Sequence, residues 1–489
     1  MRIAQLSWPD PPEPRNGGAS LSPVEDSTAD GLPGDDLTTA PIPQLVRRLA
    51  IPASVGFFFN TMYNVVDTYF AGRWSTDALA ALSLSFPVFF ILIAMGSGFS
   101  TGATALIGDA LGRRDRPAAA AVAAQGLVLG LLATLVIMVV GYASAPSLYR
   151  MLGAEEEYLD LCLSYLHVIL AGSGFILTFY MFNGILNAQG DTRAFRDYLI
   201  AATVANVIMD PWFMYGGLGL PAMGVPGIAL ATIIAQAGGV VFLGRRARRT
   251  GLLWRSTGAR WRPDGAILGA IAAQGIPASL NMMTVAIGIF VITYYLSAFG
   301  QDAVAAYGAA TRIEQIILLP ALGLNVAALT LAAQNGGARR FDRVRSTVRT
   351  CLTYGMLVVL VGSTLMFIGA DWLMARFTDS AAVVAIGGHY LRIAAFIEFA
   401  YVLLFVNLSV LQGLKLPIFA LWIGLGRQIV APVILFTLAT RVWDLGLDGV
   451  WWSIFGITWT AALVAVAFAL RKVDVLASRS GNDGVGGGP

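Results

Sequence analysis

Charge is scarce in this chain. Only 12% of its 489 residues are Asp, Glu, Lys or Arg, against roughly 25% in an ordinary soluble domain, so a water-soluble globule is excluded. Cysteine and histidine are nearly absent: Cys162, Cys351, His167 and His389 are all there are. Both cysteines fall inside apolar segments, so neither a disulfide framework nor a Cys/His metal cluster is available. They read as small apolar side chains, and the histidines as ordinary ones. No nucleophile stands beside a histidine base, no phosphate-binding loop appears, and no soluble domain interrupts the apolar segments. These absences argue against a membrane enzyme or receptor, and no metal site is expected.

What the chain has in abundance is apolar residues. They make up 57% of it, and the mean hydropathy is +0.70. Apolar runs longer than about 18 residues, the signature of transmembrane helices, recur from residue 44 to residue 470. They are continuous rather than alternating, which excludes a β-barrel. Twelve spans are predicted, at 44–72, 79–111, 118–146, 159–187, 194–217, 224–244, 265–298, 302–334, 343–370, 383–412, 418–440 and 447–470. With an even number, both chain ends lie on one side. The loops on that side hold 22 Lys and Arg and those opposite hold 4. The positive-inside rule then places both termini in the cytoplasm. The net charge of +3 reflects this asymmetry, and no nucleic-acid partner is expected. Residues 1–43 are rich in Pro, Gly, Asp and Glu, lack an apolar signal-peptide core, and read as a disordered acidic cytoplasmic tail. Residues 471–489 read as a second one.

The chain repeats itself. "IPAS" stands at 51–54 and again at 276–279, "VDTY" at 66–69 faces "VITY" at 291–294, and "DALAAL" at 77–82 faces "DAVAAY" at 302–307, all offset by 225. Later pairs, such as "GVPGI" at 224–228 and "GLDGV" at 446–450, are offset by 222. The expected fold is therefore an all-α integral membrane protein. A first six-helix bundle over 44–244 and a second over 265–470 are joined by a basic cytoplasmic linker, 245–264. Each half starts in the cytoplasm, so the pseudo-two-fold axis runs along the membrane normal. Paired repeats with a cavity between them are a transporter architecture.

Ionisable residues inside a bilayer cost roughly 2.5–3.5 kcal/mol each on insertion scales, so they mark a route or a site. Asp67 and Asp210 are two of these, and their repeat partners are Ile292 and Pro432 or Val433. The backbone plan is duplicated but both acids belong to the first half, which points to a cation or proton site there. Tyr63 lies one turn before Asp67, and Asn206 one turn before Asp210. Tyr180, Asn183 and Asn187 form a stripe on the fourth span, and Thr232 and Gln236 another on the sixth. Pro52 and Pro277 occupy matching places, and Pro211 removes a backbone donor beside Asp210. In the second half Arg312, Glu314, Arg392, Glu398 and Arg427 are expected to form an ion-pair network, with a second coupling or substrate site at Glu398 as the alternative. The string "GDALGRRDR" (108–116) fits part of the loop motif of the major facilitator superfamily, but Ala105 and Ala110 stand where that motif has Gly and Arg. A short basic cytoplasmic loop yields such a string on its own.

The segments "IPASVGFFFNTMYNVVDTYFAGR", "DALAAL", "GILNAQGDTR" and "GVPGIALATIIAQ" resemble the multidrug and toxic compound extrusion (MATE) family over roughly 44–470. Asp67 with Tyr63, Asn206 with Asp210, and Asn183 with Thr232 look most like its DinF-like branch. The helix 7 Glu of other branches is missing here, where Asn281 and Thr284 are the nearest polar residues. The resemblance implies a secondary active antiporter, not an enzyme. It would export organic, often cationic, compounds in exchange for protons or sodium ions, with no cofactor beyond that ion. Asp67, Asp210, Asn206, Asn183, Tyr63 and Thr232 would form the coupling site. Tyr180, Asn187, Gln236, Pro52, Pro211 and Glu398 would line or gate the cavity. Its expected partners are a small organic substrate and membrane lipid, and its expected state is a monomer in a bacterial inner membrane. A dedicated exporter of one secondary metabolite and a lipid-linked oligosaccharide flippase are the rival readings.

Overall fold

The computed structural model describes residues 37–151, 153–217 and 219–482. Twelve long helices follow one another: α1 Ile42–Trp74, α2 Thr76–Gly112, α3 Arg116–Met151, α4 Glu156–Ala188, α5 Arg193–Tyr215, α6 Val225–Arg249, α7 Gly265–Ser297, α8 Gln301–Gly337, α9 Phe341–Ile368, α10 Ala381–Gly413, α11 Pro417–Val442 and α12 Gly446–Asn482. Eleven of them are long and apolar enough to cross a membrane. The exception is α5, 23 residues long, whose apolar run is interrupted by Asn206 and Asp210. Side chains start several helices. The Ser75 hydroxyl accepts from the Ala78 amide at 2.9 Å, and the Asp264 carboxylate accepts from the Ala266 amide at 3.0 Å, satisfying donors that a helix start leaves unpaired.

The repeat is a real symmetry of packing. In the first lobe α2 packs on α4, α4 on α6, and α1 on α5. In the second, α8 packs on α10, α10 on α12, and α7 on α11. The lobes meet through α1 against α8, α2 against α7, and α2 against α8, contacts that the same two-fold relation exchanges. At this seam the chain has no room for side chains. A Cβ on Gly98 would overlap Ser279, and one on Gly323 would overlap Ser54; a Cβ on Gly112 would overlap the Gln334 carbonyl, and one on Gly337 the Asp109 carbonyl. These four contacts are two pairs, each repeated at the 225-residue offset. Hydrogen bonds follow the same relation: the Ser54 hydroxyl donates to the Pro320 carbonyl at 3.2 Å and the Ser279 hydroxyl to the Met95 carbonyl at 3.5 Å. Farther along, Gln334 Nε2 donates to the Ala188 carbonyl at 2.7 Å, and Lys415 Nζ pairs with Asp109 at 2.9 Å. The acid of "GDALGRRDR" is thus an inter-lobe contact. The close approaches run from near the middle of the bundle to the end where α1 begins and α12 ends.

Three boundaries differ from the sequence reading. Residues 1–36 of the expected tail lie outside the described residues, but 37–41 are held against the second lobe. Leu37 is buried, and Arg343 Nη2 donates to the Ala40 carbonyl at 2.7 Å. α12 runs on to Asn482, past the expected end at 470, because Val473 and Leu476 pack on the cluster around Leu37 and Ile42. The linker is folded as well: α6 extends to Arg249, Leu252 and Leu253 are buried, and Gln125 Nε2 donates to the Arg260 and Arg262 carbonyls, both at 2.7 Å. The eleventh span, expected as plain helix, contains two π-helical turns, Gly426–Val430 and Leu438–Val442.

The seam makes its own prediction. Gly112→Val or Gly337→Val forces backbone apart at the inter-lobe contact, and overpacking of this kind costs about 1–3 kcal/mol. Thermal unfolding of the detergent-purified protein should show a clear drop for both, whereas Gly269→Val, at a position with open space beside it, should leave the midpoint nearly unchanged.

Candidate functional site

In the first lobe, α1 and α5 pack side by side and bring Asp67 and Asp210 to one amide. Asn206 Nδ2 donates to Asp67 Oδ1 at 2.9 Å and to Asp210 Oδ1 at 2.8 Å. The second bond follows from the helix, since residues four apart share a face; the first needs the tertiary fold. All three side chains are buried, Asp210 completely. Tyr63 on α1 and Thr232 on α6 lie within electrostatic reach of Asp67, as does Tyr165 on α4. Tyr165 carried no signal in the sequence beyond being a hydroxyl in an apolar run.

The site is rich in oxygen and poor in donors. Asn206 Oδ1, Asp210 Oδ2, the Tyr63 hydroxyl and the Thr232 hydroxyl are buried with no hydrogen-bond partner among the described residues. Buried polar groups are normally paired. Two carboxylates sharing one amide in a dry environment repel each other strongly. A proton or a small hard cation between them relieves both conditions, because each brings positive charge to orphaned oxygens. Pro211, directly behind Asp210, cannot donate to the carbonyl four residues back, so that carbonyl lacks its usual helical partner.

The remaining expected residues scatter. Asn183 Oδ1 and Gln236 Oε1 are buried and unpartnered, but no recorded contact ties them to the two acids. Tyr180 stands beside Gly96 and meets the Phe179 ring edge-on, 5.7 Å between centroids. Asn187 lies at the lobe seam, where its backbone carbonyl accepts from the Thr330 hydroxyl at 3.0 Å. Pro52 is buried in α1 between Ala50 and Ser54, the two residues that meet Gly323 of α8.

The second lobe holds a pocket of about 170 Å³ in the corresponding place. Ile292, Gln428, Pro432 and Thr458 line it, and these are the repeat partners of Asp67, Asn206, Asp210 and Gln236. The acids of this lobe come from elsewhere. Glu314 on α8 enters the pocket opposite Tyr307, Tyr390 and Tyr401, and its repeat partner is the apolar Phe89. Glu398 on α10 is fully buried, and neither of its carboxyl oxygens has a hydrogen-bond partner among the described residues. The expected ion-pair network is not formed. Arg392 pairs with Asp371 at 2.7 Å, Arg312 is exposed, and Arg427 lies over the Tyr401 ring, 5.3 Å from its centroid. Helical spacing could not reveal this, because Arg392 and Arg427 each found a partner on a different element while Arg312 faces outward.

Comparison with known proteins agrees with this duplicated architecture. The MatE family model matches twice, over 52–212 and 277–437, two windows offset by the same 225 residues. "Probable multidrug resistance protein YoeA" of Bacillus subtilis is 29% identical over 320 residues, covering 64% of this chain and 69% of the relative. "FAD transporter" of Shewanella oneidensis is 26% identical, covering 88% and 94%. A solved structure described as the outward-facing conformation of a multidrug resistance MATE family transporter superimposes with a TM-score of 0.84 at 25% identity, covering 93% of this chain and all of that one. Two family-model matches, one in each lobe, and eleven helices long and apolar enough to cross a membrane lead to one conclusion: the chain belongs to the MATE family and is a multi-pass membrane efflux transporter.

Proposed function

We propose that this transporter expels organic, often cationic, compounds in exchange for protons or sodium ions, and that Asp67, Asn206 and Asp210 form the coupling site. The carrying observation is the single amide shared by two buried carboxyl groups, with four orphaned polar atoms around it. When the pair is charged, it attracts a cationic substrate. When a proton or sodium ion occupies it, that attraction is lost and the substrate leaves. Inward movement of one positive charge releases about 2.3 kcal/mol per 100 mV of membrane potential. Tyr63 and Thr232 offer further oxygens to the ion, and Asn183 is a candidate for the same role on α4.

Orientation supports the direction of transport. The excess of Lys and Arg puts both termini in the cytoplasm of a bacterial inner membrane, and the tight inter-lobe seam lies in that half of the bundle. With the lobes joined tightly in that half, they part on the outer side, where the ion enters and the substrate departs. Proline at 211 allows α5 to bend as the acid beside it changes charge. All these groups belong to one chain, so a monomer suffices. A second reading, export of one particular metabolite, is favoured by Arg427 at the second-lobe pocket, where a cation on the wall suits a negatively charged cargo.

Efflux of a fluorescent cationic dye from a pump-deficient bacterial strain tests the coupling site. At matched expression, Asp67→Asn and Asp210→Asn are each expected to reduce efflux to background. Intact efflux in both would move the coupling role to Glu398. In proteoliposomes, imposed proton and sodium gradients should drive uptake or release with only one of the two ions, which names the coupling ion. Asn206→Leu removes the shared donor and leaves two carboxyl groups unbridged. It is expected to destabilise the protein by about 1–3 kcal/mol and to abolish the response to the driving gradient. Glu398→Gln should change which dyes are carried without changing which gradient drives them.

A further inference from the structure

The outer face of α6 carries a pattern that transport does not use. Ile234, Gly238, Val241, Phe242, Arg245 and Arg249 line a shallow groove along it, and their spacing places them on one stripe of the helix. Ile234, Val241 and Phe242 are each more than 40% exposed. Gly238 has open space where a Cβ would stand, so the stripe is notched at its middle. At its end Arg245 and Arg249 are exposed, and among the described residues neither has a recorded ion-pair or hydrogen-bond partner. Their neighbour Arg246 is already held by Asp191.

Arginines in the last turn of a helix are stabilised by its negative end, which accounts for their presence. It does not account for an apolar groove leading up to two unpaired ones. The linker that follows fixes the depth. Trp254 and Trp261 are 57% and 42% exposed, with Arg255, Arg260 and Arg262 around them, the composition of a membrane–water interface. From Ile234 to Arg245 the helix rises about 16 Å, close to half of a hydrocarbon core about 30 Å thick.

We propose that this face binds one anionic diacyl phospholipid. Its phosphate rests on Arg245 and Arg249, and an acyl chain lies along Ile234, Val241 and Phe242 in the notch at Gly238. Charge complementarity selects the headgroup, and the groove selects a lipid over a free anion. The proposal is independent of the coupling site on the inner side of the lobe.

The test uses the full chain purified in mild detergent, with native mass spectrometry to count retained lipid and thermal unfolding to read stabilisation. Added phosphatidylglycerol should be retained and raise the unfolding midpoint more than phosphatidylcholine. Arg245→Ala and Arg249→Ala should each weaken retention about fivefold, as expected for roughly 1 kcal/mol per basic side chain at an anionic surface. Gly238→Leu, which fills the notch, should remove the adduct while keeping the lipid-free midpoint. Arg255→Ala, the same charge change off the stripe, should bind like wild type. Three results would overturn the proposal: equal stabilisation by phosphatidylcholine, an Arg255→Ala loss as large as that of Arg245→Ala, or wild-type retention in Gly238→Leu. Stabilisation by glycerol phosphate alone would also do so, since it would mark a free-phosphate site.

Discussion

Along the half of the bundle where both described chain ends lie, two lobes approach until four positions have no space for a Cβ. Gly98 meets Ser279, Gly323 meets Ser54, Gly112 meets the carbonyl of Gln334, and Gly337 meets that of Asp109. Everything else in the architecture depends on this contact. Between membrane helices there is no hydrophobic drive to associate, so small residues and direct polar contacts must hold the lobes together. The contact is two-fold related, so one packing solution found in the first repeat is used again in the second. Inter-lobe polar pairs such as Asp109 with Lys415 and Gln334 with Ala188 then flank the seam with stronger, breakable links. A joint made of close-packed glycine and a few hydrogen bonds suits a machine whose lobes must separate and re-form.

The symmetry of the backbone sharpens the asymmetry of the chemistry. Asp67, Asn206 and Asp210 in one lobe correspond to Ile292, Gln428 and Pro432 in the other, all lining equivalent ground. A carboxylate kept out of water needs compensation. In the first lobe Asn206 compensates two acids at once, and incompletely, which leaves Asp210 Oδ2 and Asn206 Oδ1 without a partner among the described residues. In the second lobe Glu314 enters from α8 beside three tyrosines and an arginine that lies over one of them, while Glu398 of α10 is fully buried. One lobe therefore holds a buried cluster of two carboxyl groups around one amide, and the other an aromatic, mixed-charge pocket. Two π turns in α11 accompany that difference, as such turns often do at functional places in helices.

Much of this was legible in the order of residues. Bilayer thickness dictates the length of an apolar run, so the twelve helices follow from composition, and apart from the end of α12 their ends fall within about five residues of the expected ones. The repeat follows from strings such as "IPAS" at 51 and 276. That Asn206 and Asp210 face the same way follows from 3.6 residues per turn. Periodicity could not tell that Asp67 joins the acid cluster while Asn187 meets the other lobe only through its backbone carbonyl, since both are polar groups on long apolar helices. Nor could composition tell that Val473 and Leu476 continue α12, because a polar, glycine-rich end looks the same whether or not its first part packs on Leu37.

The sequence by itself determined the class of the protein, its number of spans, its duplication and which half holds the paired acids, because each rests on local rules of length, period and composition. Tertiary structure alone decided which side chains meet. The bond from Asn206 to Asp67 joins residues 139 positions apart, Arg392 turns to Asp371 rather than to Glu398, and Glu314 enters the pocket that Ile292 and Pro432 line. Such pairings are set by how helices cross, and crossing is fixed by packing at positions far from the residues that do the chemistry.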